Sequence, residues 1–436
     1  MWGLKSCFFL LFVVSYVYSS DHTCELSCDH FSEGCTKCTN TTFQCENRAL
    51  KSVCAAYYNN NSTEMHTVDL RDNLISNFSS FPAKSNIKVL FIGNNHFTSL
   101  TKADMERFPL LEKLFIEQNE IKSLPKDVFE GSTFIEELHM SGLGLSELPD
   151  TIFKPLKALT FLDLSHNQLK KVPANTFQIG NRIRTLFLNG NPITELAPVD
   201  FVALRKIEVI HLGETKLTTI TDHAFATLDT LREINFDHSS QLRFIDETAF
   251  GWYLPTPGKY AASLSKVSIR SCYLSNLDEH VFNVKGLEEF KFSNNPWECD
   301  CSIRWLMDPE TWKVSPGKDK IMEELNNSKC DNDKWKRTPL AAVPLNQLEC
   351  GVKIPNFKDH PALRLSSSLS TVTTIMIITL LVCCISVVLG ILMFRRCTRQ
   401  TSMPPAVNQY RAIYNQGHVQ SLDEGLDKDA KSPYEL

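Results

Sequence analysis

The sequence predicts a β-dominated α/β solenoid of about ten stacked repeats, and three observations carry that expectation. Between Met65 and Trp297 the chain repeats the pattern L-x-x-L-x-L-x-x-N-x-L, the copies keep a near-constant spacing, and cysteine-rich segments stand at both ends. LEKLFIEQNEI (Leu111 to Ile121), LTFLDLSHNQL (Leu159 to Leu169) and IRTLFLNGNPI (Ile183 to Ile193) show the pattern. The first apolar residue of successive copies falls at Met65, Ile87, Leu111, Ile135, Leu159, Ile183, Ile207, Leu231, Leu264 and Leu287, mostly 24 residues apart. Repeats of this size cannot bury their own apolar faces, so they are expected to stack into one continuous core.

Within each copy the alternating apolar residues at the fourth and sixth positions, such as Leu162 and Leu164, predict a short strand with one face turned inward. The ninth position is Asn at Asn73, Asn95, Asn119, Asn167, Asn191 and Asn295. A buried amide there is expected to bond backbone groups of its own and adjacent turns. Leu143, Thr215, Ser239 and Cys272 interrupt that row, and Cys272 reads as a small buried filler rather than a reactive thiol. SLPKDVF (123–129), ELPDTIF (147–153), KVPANTF (171–177), TITDHAF (219–225) and FIDETAF (244–250) form the outer half of the turn, each closed by a core Phe. Between Leu231 and Leu264 the step stretches to 33 residues, and GWYLPTPGKY (251–260) predicts a loop leaving the solenoid.

The ends indicate the compartment. Residues 1–20 carry one Lys, an apolar run and small residues at Ser19 and Ser20, as a secretory signal peptide does. Residues 21–64 form a predicted cap with Cys24, Cys28, Cys35, Cys38, Cys45 and Cys54. Residues 298–351 form a second with Cys299, Cys301, Cys330 and Cys350, after repeats spanning 65–297. Even cysteine numbers behind a signal peptide predict disulfides, and solenoid ends need covering. Bridging Cys299 to its near neighbour Cys301 would be strained, so each is expected to reach Cys330 or Cys350. Glycosylation sequons stand at Asn40, Asn60, Asn61, Asn77 and Asn326. A juxtamembrane linker over 352–368 leads to an uncharged apolar span over 369–394, followed at once by Arg395, Arg396 and Arg399. That order predicts a single-pass type I protein of the plasma membrane, its ectodomain outside.

On these motifs the chain resembles extracellular leucine-rich repeat proteins of the single-pass membrane type. The resemblance covers roughly residues 24–350 and includes the C-cap opening NPWECDCSIRWL (295–306), with Trp297, Cys299, Cys301 and Trp305 at the family's places. It implies a horseshoe-shaped solenoid, pairing of Cys299 with Cys330 and Cys301 with Cys350, and protein binding on the concave strand face. The N-cap departs from the family's four-cysteine pattern. Cell-surface recognition or adhesion is the expected function, with an accessory or co-receptor role in the same membrane as the alternative.

The residue between the two strand apolars faces the concave side, giving the row Asp69, Phe91, Phe115, His139, Asp163, Phe187, His211, Asn235, Ser268 and Lys291. Phe161, also outward by this phase, sits near the middle of the row. Phe91, Phe115, His139, Phe161, Phe187 and His211 are therefore the candidate ligand-binding residues for an extracellular protein or partner receptor. The tail, 395–436, is polar, aperiodic and expected to be disordered. Tyr410 and Ile413 have the spacing of an endocytic sorting signal, and the terminal Leu436 that of a PDZ ligand, so a cytoplasmic adaptor is a candidate partner. No nucleophile elbow, phosphate loop or zinc helix occurs, so no catalysis, cofactor or metal is expected. A net charge of −5 gives no basic footprint for nucleic acid.

Overall fold

Parallel strands, one per repeat, follow from the period and are what the chain forms. The computed structural model describes residues 37–38, 41–52, 65–81, 84–177, 181–251, 264–348 and 350. The chain divides into two units, 1–351 and 352–436. The second unit lies outside the described residues. So do the predicted signal peptide, the span 369–394, Tyr410, Ile413, Leu436 and most of the loop after Gly251. Among the described residues no helix is long and apolar enough to cross a membrane.

The strands are β1 (Lys37–Cys38), β2 (Thr42–Gln44), β3 (Thr67–Asp69), β4 (Val89–Phe91), β5 (Lys113–Phe115), β6 (Glu137–His139) and β7 (Phe161–Asp163). They continue as β8 (Thr185–Phe187), β9 (Val209–His211), β10 (Thr219–Ile220), β11 (Glu233–Asn235), β12 (Phe244–Ile245), β13 (Lys266–Ser268) and β14 (Glu289–Lys291). All but β10 and β12 form one sheet of 12 strands in chain order, parallel except for the β1–β2 hairpin. Every parallel pair is in register, position for position, so residues one repeat apart sit side by side. The sheet begins inside the N-terminal cysteine-rich segment, where Phe43 and Cys45 take the two buried strand positions. The alternation there is too short to be seen as a repeat.

The core is the expected one. Leu90, Leu114, Leu138, Leu162, Leu186 and Ile210 are fully buried behind the sheet, as are Phe129, Phe201 and Phe225 on the outer side. The asparagine row bonds as predicted. Asn119 Nδ2 donates to the carbonyls of Ile92 and Ile116, and its Oδ1 accepts from the Phe97 N–H, joining consecutive turns. Where the row is interrupted, smaller groups keep part of the pattern. Thr215 Oγ1 donates to the Leu212 carbonyl, and Cys272 Sγ to that of Phe236.

The eighth position of all ten repeats, from Asp72 through Gln118, His166 and Glu214 to Asn294, has φ between 51° and 69°. This left-handed residue turns the chain off the strand while its N–H still bonds the next repeat, as from Gln118 to the Ser141 carbonyl. Glycine suits that backbone, yet only Gly142 and Gly190 supply it. Nothing in the apolar period announces it.

Two members of the predicted outward row are covered rather than open. Asp69 is buried because Arg71 folds back on it at 2.6 Å. Ser268 is buried because it donates to Asp237, which also holds Arg270. The stretched repeat gives a further element on the outer side, where β10 and β12 pair in parallel.

The last strand is covered by the C-terminal segment. Glu324, on the helix Lys318–Asn327, accepts the N–H groups of Phe292 and Ser293, which no further strand would satisfy. Trp297, Trp312, Leu306, Ile321 and Leu325 are buried beneath that helix and its neighbours. Disulfides join Cys299 to Cys330 and Cys301 to Cys350, with Cα separations of 5.5 and 5.4 Å. This is the pairing the family resemblance implies. At the other end Cys45 is buried and disulfide-bonded, whereas Cys24, Cys28, Cys35 and Cys54 lie outside the described residues. Of the sequons, Asn77 and Asn326 are exposed, and Asn40, Asn60 and Asn61 lie outside the described residues.

Cys272 is a free thiol that burial pushes up to about 12. The thiolate is the reactive form. Iodoacetamide at mildly alkaline pH is therefore expected to leave Cys272 unmodified in the folded chain and to label it after denaturation, read by peptide mass mapping. Equal labelling in both states would contradict the burial.

Candidate functional site

In-register strands place the six candidate side chains in one line. Phe91 stacks on Phe115 with ring centroids 4.3 Å apart, Phe115 on His139 at 4.1 Å, and His139 on Phe161 at 4.5 Å. Phe161 meets Phe187 edge-on at 5.2 Å, and Phe187 stacks on His211 at 4.4 Å. The result is an unbroken ladder of six half-buried rings crossing β4 to β9, about 24 Å long at about 4.8 Å per strand. All six residues singled out by phase are in it.

Phe161 belongs to a different phase from the other five. On β7 the ladder position is held by Asp163, and the ring two residues earlier leans into the gap between His139 and Phe187. That substitution turns the stacking by 77° at the one strand without a ring in register. Each stacked pair adds about 0.5–1.5 kcal/mol beyond area burial, so the strip holds its shape without a ligand.

Both ends of the ladder are closed by charge. The Arg71 guanidinium lies 4.9 Å from the Phe91 ring centroid while pairing with Asp69 and Glu46. The Asp69 carboxylate, hydrogen-bonded to Arg71, raises the guanidinium's pKa further. At the other end His211 Nε2 lies 3.0 Å from Glu233. In between, His139 Nε2 is buried with no hydrogen-bond partner, and burial lowers the imidazole's pKa. The neutral ring is thereby favoured between its two phenyl neighbours.

Glu117, Asp163 and Arg71 also line the site; Asp163 stands in the outward row expected from the sequence, whereas Glu117 and Arg71 lie outside it. Glu117 occupies the seventh position of its repeat, over Gly93, where a Cβ would come within 2.5 Å of its carboxylate. Its Oε2 is buried without a partner, and burial raises its pKa. The signal was present in the repeat, since positions five, seven and eight border one surface.

Among the described residues, Glu247, Asp278 and His280 offer three atoms within 4.8 Å of one another. All three are exposed, and Asp278 already binds His280 Nδ1 at 2.8 Å, raising the imidazole's pKa and favouring a proton over an ion.

Residues 135–193 and 181–242 match the family model described as leucine rich repeat. The repeats within residues 135–242 are thus leucine-rich repeats. No curated protein matches the chain by sequence. Among solved structures, the mouse RP105/MD-1 complex is similar with a TM-score of 0.54 at 17% identity, covering 70% of this chain and 54% of that one. A TLR13–ssRNA13 complex gives 0.49 at 20% identity, covering 58% of this chain and 35% of that one. An octameric assembly of Latrophilin 3, Unc5D and FLRT2 gives 0.47 at 21% identity, covering 72% and 98%. The chain thus spans about a third to a half of the first two structures' lengths.

Proposed function

We propose that this chain is a cell-surface receptor or adhesion molecule that binds a protein partner on the concave face of its leucine-rich repeats. The observation that carries the reading is the six-ring ladder from Phe91 to His211. Rings turned toward solvent on the inner face of a solenoid are not needed to fill the core, which Leu114, Leu138 and Leu162 already complete. Half-buried, pre-ordered aromatics suit a protein interface, because they give large contact area with little further loss of side-chain freedom.

The reading includes the topology expected from sequence: a cleaved signal, an extracellular solenoid capped at both ends, and a tether through 369–394. The mouse RP105/MD-1 complex, similar in fold, is itself an assembly with a partner, and a partner of that general kind is what the ladder is proposed to hold.

The test pairs Phe115→Ala with Phe187→Ala in the full-length chain on cells, with crosslinking to capture the partner. Central aromatics in such interfaces contribute about 2 kcal/mol or more, so the double variant is expected to weaken capture by at least roughly thirtyfold. Surface display should match the parent chain. Unchanged capture at matched display would reject the concave face as the binding surface.

A further inference from the structure

The ladder has a charge as well as a shape. Over β4 to β9, positions five, seven and eight of the repeats carry Glu117, Asp163 and Glu214 and no Lys or Arg. The opposite flank does contain cations, but each is neutralised by the next repeat. Lys88 pairs with Glu112 at 2.8 Å, Lys113 with Glu137 at 2.7 Å, and Arg184 with Glu208. Glu117, Asp163 and Glu214 form no ion pair among the described residues, and Glu117 Oε2 lacks any donor. The strip is therefore an apolar line bordered by carboxylates that form no ion pair among the described residues, with the charge of Arg71 acting on Glu117 from the N-terminal end, on a chain of net charge −5.

The stacking decides what a partner meets. Neighbouring rings occupy each other's faces along most of the ladder, so what is offered outward is a row of ring edges, four phenyl and two imidazole. The row breaks where Phe161 and Phe187 meet edge-on, and Asp163 stands on that same strand. At the N-terminal end the chain already shows ring and carboxylate acting together on a cation, with Arg71 over Phe91 and bound to Asp69.

We infer that the occupant of the concave face is a basic protein segment. Its apolar side chains lie along the ring edges, and its Lys or Arg groups pair with Glu117, Asp163 and Glu214. The inference rests on the reading of the ladder as a protein-binding surface and adds the chemistry of the partner. Complementary charge of this kind speeds encounter and rejects acidic competitors.

The probe is a fluorescent synthetic peptide alternating leucine with arginine, measured by anisotropy against the purified full-length chain, beside a leucine–glutamate peptide. The arginine peptide is expected to bind, and to bind more weakly as salt rises from about 50 to about 500 mM. The triple variant Glu117→Gln, Asp163→Asn, Glu214→Gln should weaken it about tenfold, given that each exposed ion pair is worth a factor of a few. Removing the same charge from the outer surface, with Glu147→Gln, Asp150→Asn and Asp222→Asn, should leave binding within about twofold. Failure of the arginine peptide to bind, equal binding of the glutamate peptide, or equal effects of the two triple variants would each overturn the inference. If Phe115→Ala with Phe187→Ala abolishes crosslinked capture while the concave charge variant does not, the aromatic surface stands and the basic partner falls. If neither variant affects capture, both fall.

Discussion

Replacing Asn167 with alanine is expected to lower the free energy of unfolding by about 3 kcal/mol or more, since each buried backbone group left without a partner costs about 1–3 kcal/mol. Asn167 is almost fully buried and makes six hydrogen bonds. Its Oδ1 accepts from the N–H groups of Leu143, Gly144 and Leu145 at 3.0–3.1 Å, and its Nδ2 donates to the carbonyls of Met140, Leu164 and Ser165 at 2.9–3.1 Å. The load is heavy because Leu143 holds the ninth position one repeat earlier and has no amide of its own to offer. Alanine removes every partner at once, and the carboxamide-sized cavity it leaves holds about one water, which replaces about 2–4 of the bonds at most. Urea unfolding of the full-length chain, with Gln168→Ala as the exposed neighbour control, measures the difference. A loss below about 1 kcal/mol would mean that the turn's backbone finds other partners.

This position also shows how far the sequence could be read. The period, the buried strand positions and the asparagine row are properties of side-chain polarity, and polarity is written directly in the residues. The ring ladder was legible for the same reason: in-register parallel strands convert a sequence phase into a line in space. What stayed hidden depends on backbone conformation or on pairs of unlike residues. The left-handed eighth position is filled by Asp, Asn, Gln, His, Glu, Ser and Gly, and only two glycines hint at its geometry. The burial of Asp69 depends on Arg71 folding back within the same turn, and the half-repeat at Phe43 and Cys45 is shorter than any period can reveal. The place of Glu117 beside the rings is hidden for a similar reason, because it depends on the fold of the turn over Gly93 rather than on the strand's alternation.

Loss of the C-terminal disulfides should fray the solenoid from one end rather than weaken it evenly. The bridges Cys299–Cys330 and Cys301–Cys350 span 31 and 49 residues, and closing loops of that length stabilises the folded chain by about 4 kcal/mol each on the chain-entropy account. The two loops overlap, so removing both costs less than twice that. What the bridges hold in place is the segment over β14, where Glu324 satisfies Phe292 and Ser293, and Trp297, Trp312 and Leu325 cover the last apolar layer. Each repeat contacts only its neighbours, so a cap that detaches exposes one layer first, and the central repeats feel the loss only through those in between. With all four cysteines changed to serine, amide exchange is expected to rise around Leu287 to Asn295, while the amides of Leu114 and Leu138 stay protected until the whole array unfolds. The ladder from Phe91 to His211 lies in the protected part, so partner capture should survive where the end has frayed. Equal loss of protection at Leu114 and Phe290 would show instead that the array unfolds as one cooperative unit, with its cap acting on every repeat.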